Sequence, residues 1–273
     1  MQVAHDLESL LLKTPLFVIG GPCVIESEEL CFEVGRTVKA ACEKHGLTYI
    51  FKASFDKANR TSASSFRGPG MEEGLAILGR IRDELGVPVL TDVHERQQAL
   101  AVGNVVDILQ VPAFLARQTD LLQACGETGK IVNIKKGQFM APAEMKTAAE
   151  KVYATGNKNV LLTERGTFFG YGNLVNDFLG LPIMAGVGCP VVFDVTHSTQ
   201  QPAGLGGSSG GRPEYAPMLA RAAVAAGVQG IFLETHPNPP EAKSDATSML
   251  KLDDVPTLIG QLADLAKLRA TWK

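Results

Sequence analysis

Eight short apolar segments, separated by longer amphipathic stretches, limit the folds open to this chain more than any other sequence feature. Most are continuously apolar and rich in Val, Ile and Phe, which is typical of parallel strands covered on both faces. The predicted strands are residues 15–20, 47–54, 87–93, 105–111, 131–136, 160–165, 191–197 and 230–236. The predicted helices are residues 28–45, 71–85, 115–128, 143–155, 217–226 and 255–268, with Gly46 and Gly86 as stop signals after the first two.

The number of strand–helix units favours a closed barrel over an open sheet. Eight units within 273 residues fit an α/β fold of the (β/α)8 or TIM-barrel type. An open dinucleotide-binding sheet would carry a glycine-rich fingerprint after its first strand, but Gly20-Gly21-Pro22-Cys23 stands there instead. Because no linker-like segment interrupts the pattern, we expect residues 1–273 to form a single barrel domain.

Charge and cysteine usage exclude several classes of protein. The chain has 26 Lys and Arg against 29 Asp and Glu, so its net charge of −3 offers no overall attraction to nucleic acid. No apolar run approaches the ~18 residues of a membrane span, and residues 1–13 lack the character of a signal peptide. The five cysteines are scattered without a CxxC pair, which is typical of a reducing compartment. We expect a cytoplasmic protein without nucleic-acid or membrane partners.

Polar and charged residues gather where the predicted strands end. Charges mark the ends of many buried strands, but that alternative does not explain a bias to the carboxyl side that recurs from strand to strand. In a (β/α)8 barrel these ends converge on one mouth, which forms the active site. The residues concerned are Lys52, Asp56, Lys57, Asn59, Arg60, Asp92, His94, Glu95, Gln110, Lys135, Lys136, Glu164, Arg165, Asp194, His197, Glu234 and His236.

Several of these residues are cations, although the whole chain is slightly acidic. Lys57 with Arg60, and Lys135 with Arg165, form two separate groups. Arg presents a planar fork that matches phosphate oxygens and Lys a compact charge, so the two groups predict a substrate that carries phosphate, with room for two phosphates. The alternative is that acids at the same mouth pair with the cations and leave none free. Those acids are Asp56, Asp92 and Glu164.

Three potential metal ligands end strands that are neighbours in a closed barrel. Cys23 follows the first strand, His197 the seventh and Glu234 the eighth, and Asp245 in the next loop could supply a fourth ligand. Sulfur, nitrogen and oxygen donors together suit Zn²⁺, Fe²⁺, Mn²⁺ or Co²⁺, and the sequence leaves the choice among them open. The alternative is that Cys23 is a small core residue.

One loop departs from the regular pattern. Residues 200–212 (QQPAGLGGSSGGR) are dense in Gly, Ser and Pro, which predicts a mobile segment after the seventh strand. Its place at the carboxyl end of a strand favours an active-site lid over a simple connector.

Eight longer runs, in order from about residue 17 to residue 250, resemble the 3-deoxy-D-manno-octulosonate 8-phosphate (KDO 8-phosphate) synthases. They are residues 21–27 (GPCVIES), 51–60 (FKASFDKANR), 91–95 (TDVHE), 112–122 (PAFLARQTDLL), 133–139 (NIKKGQF), 162–175 (LTERGTFFGYGNLV), 193–198 (FDVTHS) and 234–239 (ETHPNP). The resemblance implies a TIM-barrel transferase of lipopolysaccharide precursor biosynthesis. It implies that phosphoenolpyruvate and D-arabinose 5-phosphate are condensed with release of phosphate, and that the enzyme is a homotetramer.

The resembled family divides into a metal-dependent class with Cys after the first strand and a metal-independent class with Asn there. Cys23, the run 135–139 and Lys243-Ser244-Asp245 are similar to the metal-dependent class. The resemblance therefore implies one divalent metal ion. Its implied ligands are Cys23, His197, Glu234 and Asp245.

The resemblance also implies substrate contacts. Lys135 and Arg165, with Lys57, match contacts to phosphoenolpyruvate. Asn59 and Arg60 match contacts to the pentose phosphate, which Arg117 of a neighbouring subunit joins.

Other implied site residues are less specific. Thr61 stands where many relatives have Ser, and it keeps a hydroxyl for a phosphate oxygen. Lys52, Asp92, His94 and Gln110 complete the predicted substrate site. The expected catalytic residues are Lys57, His197, Asp245 and Cys23.

Two other functions remain open at this point. One is the related 3-deoxy-D-arabino-heptulosonate 7-phosphate (DAHP) synthase, which uses erythrose 4-phosphate, although the run KANRTS favours a pentose. The other is a phosphosugar-binding regulator without catalytic activity. Turnover with each sugar phosphate discriminates among the three.

Overall fold

The strands of the chain form one parallel cylinder. The computed structural model describes residues 7, 9–11, 13–60, 62, 64–168, 172–202 and 210–272. Its principal strands are β1 (Phe17–Gly21), β2 (Thr48–Lys52), β3 (Val89–Asp92), β4 (Ile108–Val111), β5 (Ile131–Lys135), β6 (Val160–Glu164), β7 (Val191–Asp194) and β8 (Gly230–His236). Each strand pairs in parallel with the next, and β8 also pairs with β1, so the sheet closes. The predicted (β/α)8 barrel is confirmed.

A helix follows each strand. These helices are α1 (Glu28–His45), α2 (Met71–Leu85), α3 (Ala99–Gly103), α4 (Thr119–Glu127), α5 (Met145–Tyr153), α6 (Gly180–Ala185), α7 (Ala216–Ala226) and α8 (Val255–Arg269). The predicted stop signals are confirmed, because Gly46 and Gly86 adopt left-handed φ values of 69° and 63° and cap α1 and α2. The short α3 and α6 were not predicted, since five or six residues carry too little periodicity to be recognised.

Along each strand the side chains point alternately into the barrel and outward, and the inward side chains form two layers. The lower layer is apolar and contains Phe17, Ile19, Ile50, Leu90, Ile108, Ile131, Leu161, Val192 and Phe232. Two positions further along most strands the inward residue is polar, as in Ile50 and Lys52 or Phe232 and Glu234. The outward residues pack in a larger second core beneath the helices. The apolar layer thus forms a floor beneath the polar mouth.

The segment that precedes β1 contributes to the same floor. Leu7 and Leu11 are buried and cluster with Phe17 and the other residues of the lower layer. The sequence predicted no role for this segment, because leucines in a short stretch do not by themselves indicate what they pack against.

Short elements decorate the loops at the mouth. Thr167–Phe168 pairs with Leu174–Val175, and Gln200–Gln201 pairs with Gly210–Gly211, so the described ends of the loop predicted as a lid lie side by side. Its centre, residues 203–209, lies outside the described residues. Within the part of the chain that the structure describes, no helix is both long and apolar enough to span a bilayer.

Packing in the apolar floor predicts that two adjacent leucines contribute very differently to the free energy of unfolding. Leu11 is 1% exposed and Leu10 is 48% exposed. We expect Leu11→Ala to lower the free energy of unfolding by about 2–5 kcal/mol, because it leaves a cavity in a packed core. Leu10→Ala should change it by less than about 0.5 kcal/mol. Urea unfolding of both variants measures the difference, and equal midpoints would contradict the packing described here.

Candidate active site

A cavity of about 690 Å³ opens at the carboxyl ends of the strands. Among the sequence-predicted residues, it is lined by Lys52, Lys57, Asn59, Arg60, Asp92, His94, Gln110, Lys135, Arg165, His197, Glu234 and Asp245. Cys23 is fully buried and borders this site through its contacts with the loop after β8. The barrel thus brings together residues from all eight strand ends.

The candidate metal ligands converge at one side of the cavity. Single ligand atoms of Cys23, Glu234 and Asp245 all lie within 4.8 Å of one another. Cys23 Sγ is 3.0 Å from Asp245 Oδ2. Burial, followed by the charges of Asp245 and Glu234, raises the pKa of the Cys23 thiol well above its usual value. In the protein alone the group is therefore a thiol.

His197 completes this cluster through its Nε2 atom. Nε2 lies 3.5 Å from Glu234 Oε2 and 3.8 Å from Asp245 Oδ2. On the other side of the ring, Nδ1 lies 2.6 Å from Asp194 Oδ2. An ionised carboxylate accepts hydrogen bonds and has no proton to donate. Nδ1 therefore carries the proton that it donates to Asp194, and Nε2 points toward the two carboxylates. Asp194 was predicted at the mouth, but its role in orienting His197 was missed.

Asp245 sits in an uncommon backbone conformation. Its φ of 50° is left-handed, and among the described residues no other residue except glycine has a positive φ. Such strain persists only where the surrounding contacts hold it. Glu26 accepts a hydrogen bond from the backbone N–H of Lys243 at 2.9 Å, and Ser244 Oγ lies 3.2 Å from Cys23 Sγ. These contacts hold the loop so that Asp245 faces Cys23.

Two buried lysines at the mouth are already paired with acids. Lys52 Nζ lies 2.6 Å from Glu234 Oε1, and Lys135 Nζ lies 2.6 Å from Asp194 Oδ2. Both ammonium groups lie above the Phe232 ring of the apolar floor, with Lys135 Nζ 3.8 Å from its centroid. Ion pairing thus occurs, as one alternative from the sequence anticipated, although Lys52 and Lys135 pair with acids that it did not name.

The acids named in that alternative have other partners. Asp56 binds Arg67, and its Oδ1 accepts from Arg67 Nε at 2.7 Å. Glu164 Oε1 lies 3.5 Å from Lys136 Nζ. The Lys136 side chain also donates to Thr167 Oγ1 and does not line the cavity, so one of the cations predicted at the mouth points elsewhere.

The cavity contains cationic groups that the described residues do not saturate. Arg165 donates from Nη2 to Gln200 Oε1 at 2.7 Å, but its buried Nη1 has no hydrogen-bond partner within the described ranges. The buried Nε of Arg60 likewise has none there. The nearest carboxylate oxygen to Lys57 Nζ is that of Glu234, at 4.0 Å. Burial opposes the charge of Lys57, but the anionic groups around it, namely Cys23 when it is ionised and then Glu234, Asp92 and Asp245, raise its pKa well above its usual value, so it stays protonated.

Asp92 provides a fixed negative charge on the opposite side of the cavity. Burial alone would raise its pKa, but Lys52 and Lys57 hold the pKa well below its usual range. Ser54 Oγ donates to Asp92 Oδ2, and Gln110 Nε2 donates to Oδ1. Asp92 therefore acts as a hydrogen-bond acceptor at neutral pH and does not shuttle protons.

Two further polar groups face the cavity without partners in the described part of the chain. They are Nδ1 of His94 and Oε1 of Gln138. Burial lowers the pKa of His94, so the imidazole is neutral at neutral pH. Gln138 was missed by sequence analysis, although it lies within the run 133–139, three residues beyond β5. An unsatisfied buried polar atom costs about 1–3 kcal/mol, so these groups indicate a polar ligand.

One predicted residue lies apart from the cavity, and another is not among the described residues. Arg117 is exposed and does not line it, and the contact recorded for this residue is a hydrogen bond from Lys151 Nζ to its backbone oxygen. Thr61 lies outside the described residues.

The lowered pKa of Asp92 predicts an acid-sensitive contribution to stability. Because the pKa is lower in the folded state than in the unfolded state, the stabilisation is present above about pH 4 and is lost as the pH falls through the folded value. Below about pH 4 this group alone should add up to about 1.4 kcal/mol per pH unit to the fall in the free energy of unfolding. Urea unfolding between pH 5 and pH 3 should show that the free energy of unfolding falls less steeply in Asp92→Asn than in the wild-type protein.

The matched control for this measurement is Asp264→Asn, since the Asp264 side chain is 78% exposed. This variant should follow the wild-type pH dependence. If Asp92→Asn also follows it, Asp92 does not provide the proposed charge.

Comparison with known proteins places this chain in a family. The model of the DAHP synthetase I family matches residues 13–271. The chain is 53% identical over 256 residues to the 2-dehydro-3-deoxyphosphooctonate aldolase of Protochlamydia amoebophila, which covers 94% of this chain and 93% of that protein. Aldolases of the same name from Nitratidesulfovibrio vulgaris and Magnetococcus marinus are 55% and 56% identical over 92% and 93% of this chain, and 92% and 89% of their own lengths. The chain belongs to the DAHP synthetase I family.

Proposed function

We propose that this chain is a KDO 8-phosphate synthase. It condenses phosphoenolpyruvate with D-arabinose 5-phosphate and water to form 3-deoxy-D-manno-octulosonate 8-phosphate and phosphate, in lipopolysaccharide precursor biosynthesis. The observation that carries the proposal is a cavity in which Arg60 and Arg165 keep unpaired buried donors. The relatives named above favour this function over DAHP synthase, because all of them are named for the octonate product.

Arg165 and Lys135 form the proposed phosphoenolpyruvate site. Arg165 Nη1 is a free donor for an anionic oxygen, and its Nη2 is oriented by Gln200. Lys135 is positioned over Phe232 by Asp194, so its remaining N–H bonds serve the same anion. Lys57, protonated and further from any acid, completes this site.

Arg60, Asn59 and Asp92 form the proposed pentose site. Arg60 Nη1 donates to Ser244 Oγ at 2.7 Å, which orients the guanidinium while Nε remains free for phosphate. Asp92 is suited to accept hydrogen bonds from sugar hydroxyls because it remains ionised. In the proposed homotetramer, Arg117 of a neighbouring subunit adds a further cation for the same phosphate.

Cys23, His197, Glu234 and Asp245 would hold one divalent metal ion. The fit rests on the donor set: single ligand atoms of Cys23, Glu234 and Asp245 lie within 4.8 Å of one another, and His197 Nε2 lies 3.5 and 3.8 Å from the two carboxylates, so a divalent ion among them would offset their adjacent negative charges. Asp194 fixes the ring orientation, as carboxylates commonly do for metal-binding histidines. Zn²⁺, Fe²⁺, Mn²⁺ and Co²⁺ all suit these donors. When bound, the ion would orient and polarise the sugar aldehyde as a Lewis acid.

The chain's own residues account for the remaining chemistry. Carbon 3 of phosphoenolpyruvate forms the new bond to the aldehyde carbon, and the charge that develops on the aldehyde oxygen is neutralised by a proton donor such as Lys57. Carbon 2 then becomes cationic and is attacked by water, whose proton the Lys57 amine takes up after its own proton has gone to the aldehyde oxygen. Cleavage of the carbon–oxygen bond at carbon 2 releases phosphate. Holding both substrates in reactive geometry lowers the barrier by up to roughly 7–11 kcal/mol.

We propose further that residues 1–273 form one catalytic domain, that the enzyme is a homotetramer and that it acts in the cytoplasm. The single domain and the homotetramer rest on the resemblance of the sequence, and the cytoplasmic location rests on the scattered cysteines, which are typical of a reducing compartment. Sedimentation of the purified protein tests the oligomeric state.

Phosphate release tests the reaction. With phosphoenolpyruvate and arabinose 5-phosphate we expect turnover, and with erythrose 4-phosphate at least tenfold less. Arg165→Ala should raise KM for phosphoenolpyruvate by about tenfold or more, because a charge-assisted contact is worth about 1.5–3 kcal/mol. The control Arg80→Ala alters an exposed arginine paired with Glu28 and should leave both constants unchanged. Turnover of erythrose 4-phosphate alone would favour DAHP synthase, and binding without phosphate release would favour a regulator.

Metal content tests the ligand cluster. Cys23→Ala should lose the bound metal and most activity, and chelation followed by addition of a divalent ion should remove and restore activity in the wild-type protein. Cys31→Ala is the matched control, because Cys31 is equally buried in the outer core. Full activity in metal-free Cys23→Ala would refute the proposed site. Cys23→Asn should restore turnover without metal, since the metal-independent class resembled here carries Asn at this position.

A further inference from the structure

A row of hydrogen bonds runs around the upper layer of the barrel and ends at Asp92. Thr163 Oγ1 donates to Asn133 Oδ1 at 2.6 Å, and Asn133 Nδ2 donates to Gln110 Oε1 at 2.8 Å. Gln110 Nε2 then donates to Asp92 Oδ1. We name these four residues the polar belt. It links β6, β5, β4 and β3: Asp92, Gln110 and Asn133 are register partners on neighbouring strands, and Thr163 lies two residues beyond Leu161, the register partner of Asn133.

Half of the polar belt has no access to a ligand. Gln110 and Asp92 line the cavity, whereas Asn133 and Thr163 do not and are both 0% exposed. Their polarity is therefore not explained by substrate contact. Buried polar side chains in a barrel core cost free energy unless each is satisfied, so a polar pair at these positions needs a reason beyond packing.

The hydrogen bonds of the polar belt permit one orientation of both amides. Asp92 is ionised and can only accept, so Gln110 must turn its NH₂ group toward it. Gln110 Oε1 then faces Asn133, which must present its own NH₂ group. Asn133 Oδ1 is left facing Thr163, whose hydroxyl is the donor that ends the row. The order follows from the chemistry of each group and not from the assigned positions of amide atoms.

We propose that Asn133 and Thr163 are positioning residues for the sugar phosphate. This inference rests on the proposed function. The two residues lock the Gln110 amide with its NH₂ group toward Asp92. Gln110 on Oδ1 and Ser54 on Oδ2 then hold the carboxylate plane of Asp92, while each oxygen keeps a lone pair for the sugar hydroxyls. The hydroxyl of Thr163 thus acts on substrate binding through two amides and without touching the substrate.

Removal of the terminal donor should release both amides. Thr163→Val keeps the shape of the side chain but leaves Asn133 Oδ1 without a donor. The Asn133 amide is then no longer fixed at its Oδ1 end, its hydrogen bond to Gln110 weakens, and Gln110 holds the Asp92 carboxylate less firmly. We expect KM for arabinose 5-phosphate to rise about tenfold, as for the loss of one hydrogen bond to a charged group. KM for phosphoenolpyruvate should change less than twofold.

Thr163→Ser is the matched variant, because it keeps the hydroxyl and removes the methyl group. It should retain the wild-type KM for the sugar, whereas a role in packing alone predicts the reverse order, with Val tolerated and Ser impaired. That reverse order, or equal rises in KM for both substrates, would overturn the inference. Asn133→Leu, similar in shape, should reproduce the Thr163→Val pattern and provides the test if Thr163→Val does not fold.

The wild-type protein separates this inference from the proposed function. If it turns over erythrose 4-phosphate instead of arabinose 5-phosphate, the proposed function fails, and the same KM comparison is made with the accepted sugar. A selective rise in sugar KM in Thr163→Val then still supports the polar belt, and no selective rise still refutes it.

Discussion

The pairing of β1 with β8 is the constraint on which the rest of the structure depends. It closes the sheet and aligns Gly21 with Glu234, so that residues more than 200 positions apart lie side by side. Gly21 is required there, because a Cβ atom at this position would lie 2.0 Å from the backbone oxygen of Lys52. Closure brings Cys23, two residues beyond Gly21, to the loop that carries Asp245. Without it the candidate metal ligands would be scattered along the sheet edge.

The two layers of the barrel interior explain how a strongly charged site can be buried. The apolar floor supplies the hydrophobic contacts, and the polar layer above it pairs its charges: Lys52 with Glu234, and Lys135 with Asp194. Removing one partner of such a pair leaves an uncompensated charge, which costs about 3–5 kcal/mol. The pairs therefore hold these side chains in place at the mouth of the barrel.

Those unpaired groups distinguish a binding site from a packed interior. Arg60 Nε, Arg165 Nη1, His94 Nδ1 and Gln138 Oε1 are buried at the cavity and have no partners among the described residues. Three of them can donate, which is the complement of phosphate and carboxylate oxygens. The polar belt is the opposite case, since every member has its partner, and we propose that Asn133 and Thr163 fix the orientation of Gln110 and Asp92 without touching the substrate.

The sequence by itself determined the fold class, the order of strands and helices and the strand ends at which polar residues gather, because apolar periodicity and residue type are local signals. Its motifs also indicated Cys23, His197, Glu234 and Asp245 as one set. It could not determine which lysines are paired, that Asp194 orients His197, or that Leu11 fills the floor. Those depend on distances between residues remote in sequence, and only closure of the barrel, which sets the height and direction of every inward side chain, decides them.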